Sequence, residues 1–144
     1  MEKWDKKFIK LSKHISEWSK DKNKKVGAVI VDVDNAVISM GYNGLPMGCD
    51  DSVVERGERP EKYLYTEHAE RNAIYHAARH GVSLKGCSLY VTLFPCADCA
   101  RAVIQCGITR IVAPEPNLEH ETWGEHFKAA IEMMGEADVI IETF

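Results

Sequence analysis

The amino-acid sequence predicts an α/β protein of three layers, in which helices cover both faces of a mixed five-stranded sheet. Four segments carry apolar residues at helical spacing, and short apolar runs of strand length lie between them. After the first helix and two successive strands, helices and strands alternate along the chain, which implies parallel crossovers. With 144 residues, 45% of them hydrophobic, the chain is long enough for one domain with a sizeable core. We therefore expect a single α/β/α domain over residues 1–144.

The N-terminal part predicts one helix followed by a β-hairpin. Apolar residues step by three or four through residues 4–20, as one face of a helix requires. The continuous apolar run at residues 26–31 is typical of a strand buried on both faces. A turn at residues 32–35 leads into a second strand at residues 36–42. Residues 43–48 are predicted to be a glycine-rich loop. Residues 49–66 are polar and show no period, so we expect a long, functional loop there. The apolar positions of the helix are Trp4, Phe8, Leu11, Ile15 and Trp18.

The remaining part predicts three helices that alternate with three strands. Gly81 is expected to end the first of these helices and Gly107 the second. The helices are expected at residues 67–80, 97–106 and 120–134, and the strands at residues 88–93, 108–113 and 138–142. The inward-facing residues are expected to be Ala73, Ile74, Ala77 and Ala78 in the first helix, and Trp123, Phe127, Ala130, Ile131 and Met134 in the third.

Net charge and composition indicate which partners and which cellular compartment to expect. Eighteen basic and 22 acidic residues give a net charge of −4, whereas proteins that bind nucleic acid usually present a basic face. No apolar run approaches the roughly 18 residues that a membrane span needs, and the charged first residues are unlike a secretory signal. Three of the five cysteines are not expected to pair. We expect a cytoplasmic protein with no nucleic-acid or membrane partner.

Two short motifs carry the chemistry of the chain. His68-Ala69-Glu70 lies in front of a predicted helix, and Pro95-Cys96-Ala97-Asp98-Cys99 begins another. One imidazole and two thiols suit a zinc ion that keeps its fourth position open, as catalytic sites do. The helix N-terminus favours the thiolate form of the cysteines. The pattern resembles that of zinc-dependent deaminases, in which the Glu moves protons and is not a ligand.

Two other interpretations use the same cysteines. Cys-x-x-Cys also occurs as a redox pair, although no thioredoxin-like context surrounds it here. A structural zinc site would need a fourth ligand, for which Cys49, Cys87, Cys106 and several histidines are available. The presence of Glu70 in the first motif favours the catalytic interpretation.

With these motifs, the chain resembles the deoxycytidylate (dCMP) deaminases of the cytidine deaminase superfamily. The matching segments are Val-Gly-Ala at residues 26–28, Gly-Tyr-Asn-Gly-Leu-Pro-Met-Gly-Cys at 41–49, and residues 68–74 and 89–96. The resemblance implies a cytidine-deaminase-like fold, a zinc cofactor and hydrolysis of dCMP to dUMP and ammonia. The dUMP would supply thymidylate synthesis.

The resemblance also implies a role for each matching residue. Glu70 would be the catalytic residue that carries protons from water to the base and to the leaving amine. Asn43 would bind the sugar hydroxyl of the substrate. The implied zinc ligands are His68, Cys96 and Cys99, and the residues implied to line the base pocket are Gly27, Ala28 and Phe94.

Arg71 departs from the family pattern, which usually has Leu at this position. A guanidinium can bind phosphate through two hydrogen bonds, so Arg71 is a candidate for the substrate phosphate. It could equally be a surface arginine on the second predicted helix. Lys24 and Lys25, just before the first predicted strand, are competing candidates.

The resemblance further implies regulation and assembly. Related enzymes are often hexamers that dCTP with Mg²⁺ activates and dTTP inhibits. The segment at residues 41–49 resembles their effector-binding segment, with Gly41, Tyr42, Gly44 and Gly48 as candidate contacts. These glycines could instead only form a turn. We expect a homo-oligomer, either a hexamer or a dimer.

Rival functions remain within and outside this enzyme class. A deaminase of the same fold could act on dCTP as well as dCMP, on free cytidine, or on tRNA adenosine. Cytidine deaminases usually have Cys where His68 stands, and a tRNA enzyme would need a basic surface. A zinc-stabilised nucleotide-binding module without turnover is the alternative of another class, and it has little use for Glu70.

Overall fold

The computed structural model describes all 144 residues, and its centre is a five-stranded sheet. The helices are α1 (Lys3–Ser16), α2 (Lys62–Tyr65), α3 (Ala69–Arg79), α4 (Ala97–Gln105) and α5 (Gly124–Glu136). The strands are β1 (Gly27–Val31), β2 (Val37–Tyr42), β3 (Ser88–Val91), β4 (Arg110–Ala113) and β5 (Ile140–Thr143). No helix is both long and apolar enough to cross a membrane.

The sheet is mixed, as predicted. Its strand order is β2-β1-β3-β4-β5. β1 is antiparallel to both of its neighbours, with Ala28 opposite Gly41 on one side and Val91 on the other. β3, β4 and β5 are parallel to one another. Because β2 and β3 are both antiparallel to β1, they run in the same direction. The helices that follow them, α3 and α4, therefore begin at the same end of the sheet.

Alternating residues of the central strands pack against helices on opposite faces, which confirms the three-layer prediction. In β1, Ala28 and Ile30 join the larger core, which contains the buried residues of α3, α4 and α5. Val29 and Val31 join the smaller core with the buried residues of α1. β1 is buried along its whole length, which agrees with its continuous apolar sequence.

Several helix predictions were wrong in their limits or their inward faces. α1 ends at Ser16 instead of residue 20, because the backbone N–H groups of Trp18 and Ser19 donate to carbonyls three residues earlier and form turns. Trp18 is consequently half exposed. Ala78 and Ile131 are also exposed. The periodicity placed each of them on the inward face of its helix, and the face that is actually covered is narrower.

The polar stretch at residues 49–66 is not entirely loop. It contains a single 3₁₀ turn at Val54–Gly57 and the one-turn helix α2. An antiparallel bridge between Gly44 and Glu67 joins the two ends of the segment. This bridge places α2 next to the N-terminus of α3, where the two sequence motifs also converge.

Candidate active site

The three predicted metal ligands lie together between the N-termini of α3 and α4. His68 is the N-cap residue of α3, Cys96 is the N-cap residue of α4, and Cys99 is in the first turn of α4. One potential ligand atom from each residue lies within 4.8 Å of the others. His68 Nδ1 is 3.4 Å from the sulfur of each cysteine. One nitrogen and two sulfurs at this spacing fit a zinc ion.

The surroundings of the cysteines favour metal binding. Hydrogen bonds with the Cys99 thiol and with His68 lower the pKa of Cys96 to about 4, although burial opposes this. The hydrogen bond with Cys96, together with burial, raises the pKa of Cys99. Cys96 is therefore readily available as a thiolate, the form that binds metal.

Glu70 is a buried carboxyl group next to the three ligands. It is the second residue of α3 and is only 4% exposed. Burial raises the pKa of Glu70, and the nearby His68 only partly offsets this effect. A carboxyl group whose protonated form is favoured can both accept and return a proton. This environment suits the proton-carrying role that the sequence predicts.

A cavity of about 370 Å³ opens onto His68, Cys96 and Glu70. Its volume lies within the range of roughly 300–1,000 Å³ that is common for small-molecule sites. Leu93, Phe94 and Phe127 form an apolar wall, and the ring of Phe94 meets Phe127 edge to face at 5.8 Å. The polar lining residues are Asp21, Asn23, Lys24, Asn43, Arg59, Lys62, Tyr63, Thr66, Arg71, Asp98 and His126.

Comparison with known proteins identifies the family. The family described as "Cytidine and deoxycytidylate deaminase zinc-binding region" matches residues 2–115. The chain belongs to this family. The matched region contains the His-Cys-Cys cluster, Glu70 and most of the residues that line the cavity.

Two curated relatives differ in how much of their length the chain spans. A protein named "Uncharacterized deaminase in luxG 3'region" from Aliivibrio fischeri is 42% identical over 138 residues, which cover 95% of this chain and 90% of that protein. Human deoxycytidylate deaminase is 41% identical over 114 residues, which cover 76% of this chain and 63% of the human protein. The chain therefore spans less than two thirds of the human enzyme.

Solved structures agree with the fold. The dCMP deaminase of cyanophage S-TIM5, in complex with dCMP and dUMP, superposes with a TM-score of 0.80 at 26% identity. The match covers 100% of this chain and 99% of the phage chain. The cytidine-deaminase-like fold expected from the sequence is therefore confirmed.

Three residues predicted to contact substrate do not line the cavity of the deaminase domain. Gly27 faces α1, where an added Cβ would clash with the backbone of Ser12. Ala28 is fully buried in the larger core. Lys25 is exposed outside the cavity, and its neighbour Lys24 lines the cavity instead. Successive residues of β1 point to opposite faces of the sheet, so Gly27 faces α1 and Ala28 faces the larger core, whereas Lys25 precedes the strand.

Asn43 lines the cavity, but its side chain is already hydrogen-bonded to the preceding loop. Its Oδ1 accepts a hydrogen bond from the Val26 N–H at 2.9 Å, and its Nδ2 donates to the Lys24 carbonyl at 2.8 Å. The Asn43 carbonyl accepts a hydrogen bond from Ser19. Asn43 therefore holds one wall of the cavity in place, in addition to its predicted sugar contact.

Arg71 lines the cavity with its charge largely paired. Its Nε donates to Glu67 at 2.6 Å, and its Nη1 is 3.8 Å from an Asp98 oxygen. Two carboxylates beside the guanidinium leave it less available for a third anion. The sequence could not show this, because Asp98 comes close to Arg71 only through the packing of α3 beside α4.

Sequence reasoning missed several cavity residues. Arg59, Lys62 and Tyr63 come from the segment that was predicted to be loop. Lys62 forms an ion pair with Asp21 at 2.8 Å, and both side chains are mostly buried. Trp123 was assigned only to the core, and no motif marked His126. The one usable signal was the density of cationic and aromatic residues at positions 59–65.

A second cavity of about 370 Å³ lies beside the first. Tyr42, Gly44 and Gly48, three of the predicted effector contacts, line it. The fourth, Gly41, packs against α3, where an added Cβ would lie 2.5 Å from the Ala73 nitrogen. The residues that line both cavities are Asp21, Asn43 and Thr66.

Proposed function

We propose that the protein is a dCMP deaminase that converts dCMP and water into dUMP and ammonia. The observation that carries the proposal is the position of buried Glu70 beside the His68, Cys96 and Cys99 cluster, inside a cavity large enough for a small ligand. The human relative is named deoxycytidylate deaminase, and the phage structure holds dCMP and dUMP. The dUMP would supply thymidylate synthesis.

In this mechanism His68, Cys96 and Cys99 would hold zinc. The bound ion would supply Lewis-acid chemistry, which lowers the pKa of water to about 7. Glu70 would take a proton from the water that attacks C4 of cytosine and pass it to N3. It would then take the second proton from the hydroxyl at C4 and pass it to the departing amine. The Phe94 and Phe127 rings keep bulk water from the base. The carbonyl at C4 forms as the bond to the amine breaks, so the atoms of one water molecule are divided between dUMP and ammonia.

We infer that Arg59 and Lys24 bind the 5′-phosphate at the mouth of this cavity. Both line the cavity, both are exposed, and neither forms an ion pair. Lys62 and Arg71 line the same cavity, but carboxylates already pair with them. Phosphate binding by Arg71 remains a prediction with less structural support, and Lys25 lies outside the cavity.

We expect Arg59→Ala to raise the KM for dCMP about tenfold and to change kcat little. A charge-assisted hydrogen bond to phosphate is worth about 1.5–3 kcal/mol, and exposure places this one at or below the low end. Steady-state kinetics with dCMP and deoxycytidine would measure the effect, since the nucleoside has no phosphate to lose. Arg79→Ala, an exposed arginine outside both cavities, is the control. An unchanged KM for dCMP would contradict the assignment.

The experiment that tests the function is a deamination assay with the zinc-loaded protein. dCMP, dCTP, deoxycytidine and tRNA would be compared by loss of cytosine absorbance or by product analysis. We expect dCMP to be preferred. Comparable turnover of dCTP would support the broader nucleotide enzyme, and inosine formation in tRNA would support the tRNA alternative. A protein that binds zinc and nucleotide without turnover would be the non-catalytic module.

We infer that the second cavity binds a nucleotide effector. It adjoins the first through Asp21, Asn43 and Thr66, so a ligand there would contact residues of the catalytic wall. Gly48 has a φ of +89°, a conformation suited to glycine, and so helps to shape the rim. dCTP with Mg²⁺ as activator and dTTP as inhibitor are the expected pair. Initial rates at low dCMP, with and without each effector, would test this.

We also propose a homo-oligomer in the cytoplasm. The edge strand β2 exposes Val37, Met40 and Tyr42, an apolar surface that a second copy would cover. All five cysteines are free, which agrees with a reducing compartment. Light scattering after size-exclusion chromatography would distinguish a dimer from a hexamer.

A further inference from the structure

The beginning of α5 contacts the metal cluster, although it lies outside the region that defines the family. The family match ends at residue 115, and α5 begins at Gly124. Trp123, His126 and Phe127 nevertheless line the catalytic cavity. These three residues belong to this chain's own C-terminal part, so their contacts with the metal ligands have to be explained from the structure.

His126 accepts a hydrogen bond from the helix that carries both cysteines. The backbone N–H of Ala97 donates to His126 Nδ1 at 3.3 Å. Ala97 is the first residue of α4 and directly follows Cys96. The first N–H groups of a helix have no partner within the helix, so His126 satisfies a donor that would otherwise lack one. The contact fixes the peptide next to one sulfur ligand and two residues before the other.

Trp123 contacts the third ligand from the same turn. Its indole ring meets the His68 imidazole edge to face, with 6.1 Å between ring centroids, and it meets the His126 ring at 5.1 Å. Trp123 therefore lies between His68 and His126. Through these two side chains, α5 contacts both helices that supply metal ligands.

We propose that His126 is a positioning residue of the metal site. It orients the two sulfur ligands through the N-terminal turn of α4. Acceptance at Nδ1 requires the neutral ring with its proton on Nε2, and Trp123 packs against that ring. A preformed pair of sulfur ligands binds metal more tightly than a mobile pair, because less conformational entropy is lost on binding. The inference rests on the proposed zinc site, but it does not depend on the substrate.

The test compares two replacements of His126 by metal binding instead of activity. His126→Asn can place an oxygen acceptor where Nδ1 lies, whereas His126→Phe keeps a ring of similar size and removes the acceptor. His80→Phe, at an exposed position after α3, is the matched control. Zn²⁺ affinity would be measured by competition with a chromogenic chelator. Co²⁺ would be titrated as a probe, because its absorption reports the geometry of the sulfur ligands.

We expect His126→Phe to bind both metals about 10- to 100-fold more weakly, the usual cost of losing a group that supports a metal ligand. Its Co²⁺ spectrum should differ from that of the unaltered protein. His126→Asn should lose less than the roughly tenfold that marks removal of a supporting group, and His80→Phe should be unchanged. Should His126→Phe not fold, His126→Gln, whose amide extends beyond the Nδ1 position, replaces it.

Unaltered affinity and spectrum in His126→Phe would overturn the inference, and so would equal losses in the Asn and Phe variants. If the unaltered protein bound neither metal, the proposed function would fail instead. The two failures are therefore distinguishable.

Discussion

Replacing Glu70 with Gln is expected to lower kcat for dCMP by about 10²- to 10⁴-fold, the range that general acid–base catalysis supplies. Gln has the shape of Glu but cannot exchange a proton with water, with N3 or with the leaving amine. The loss should appear in kcat and in kcat/KM alike, because proton transfer takes place at the transition state. KM should change little, since the base and phosphate contacts are retained.

The same variant should keep its metal and its fold. Glu70 is almost fully buried, and a neutral amide there avoids the cost of burying a charge. Metal content and thermal unfolding would check this beside the kinetics. Glu132→Gln, at an exposed position on α5, is the control. A Glu70→Gln protein with most of its turnover intact would show that another group carries the proton.

The fold and the metal cluster were predictable because their signals are local in the sequence. β1 appears as an unbroken apolar run, and its complete burial is what such a run implies. His68 and Glu70 are two residues apart, and so their common position at a helix start follows from the sequence spacing alone. Cys96 and Cys99 share one helical turn for the same reason.

Gly27 and Gly41 show what the sequence leaves open. A glycine within a strand indicates that something comes close to the backbone, and the resemblance implied a ligand contact for each. In the structure the close neighbour is a helix, α1 at Gly27 and α3 at Gly41. The sequence signal is the same in both cases, because a missing Cβ does not specify whether a helix or a nucleotide fills the space.

Contacts between distant segments account for the rest of the site. Ala97 and His126 are 29 residues apart, and the Lys62–Asp21 ion pair joins segments 41 residues apart. No periodicity links such pairs. Their contact depends on the packing of α5 beside α4 and on the position of α2, which only the three-dimensional structure defines.

The Asp5–Arg110 ion pair is expected to be the most sensitive electrostatic contact of the fold. Asp5 lies in the first turn of α1 and is buried. It accepts hydrogen bonds at 2.9 Å from two guanidinium nitrogens of Arg110. The Tyr90 hydroxyl donates to it at 2.6 Å, and Glu142 pairs with Arg110 from β5. The cluster thereby ties α1 to three strands of the sheet.

Arg110→Leu should destabilise the protein by about 3–5 kcal/mol, because it leaves a buried carboxylate without its partner. Asp5→Asn should cost less, since Arg110 keeps Glu142 and partial exposure to water. In the double variant the two losses should not add, because the Arg110 change no longer leaves a charge unpaired. Urea unfolding of the four proteins would give these differences, and additive losses would contradict the ion-pair interpretation.

The same pair should make stability depend on pH in the acid range. Burial alone would raise the pKa of Asp5, but hydrogen bonds from Arg110 and Tyr90 lower it to about 2, from an ordinary value of 3.8. The unfolded state therefore takes up a proton more readily than the folded state between these values. The stabilisation, about 2 kcal/mol at roughly 1.4 kcal/mol per unit of pKa, is fully present above pH 4–5 and is lost as pH falls towards 2. Asp5→Asn has no such group, so its stability should fall less steeply over this interval. The urea midpoints of this variant and of the unaltered protein, measured from pH 5 to pH 2, should therefore converge. Parallel slopes would show that carboxyl groups elsewhere dominate acid unfolding.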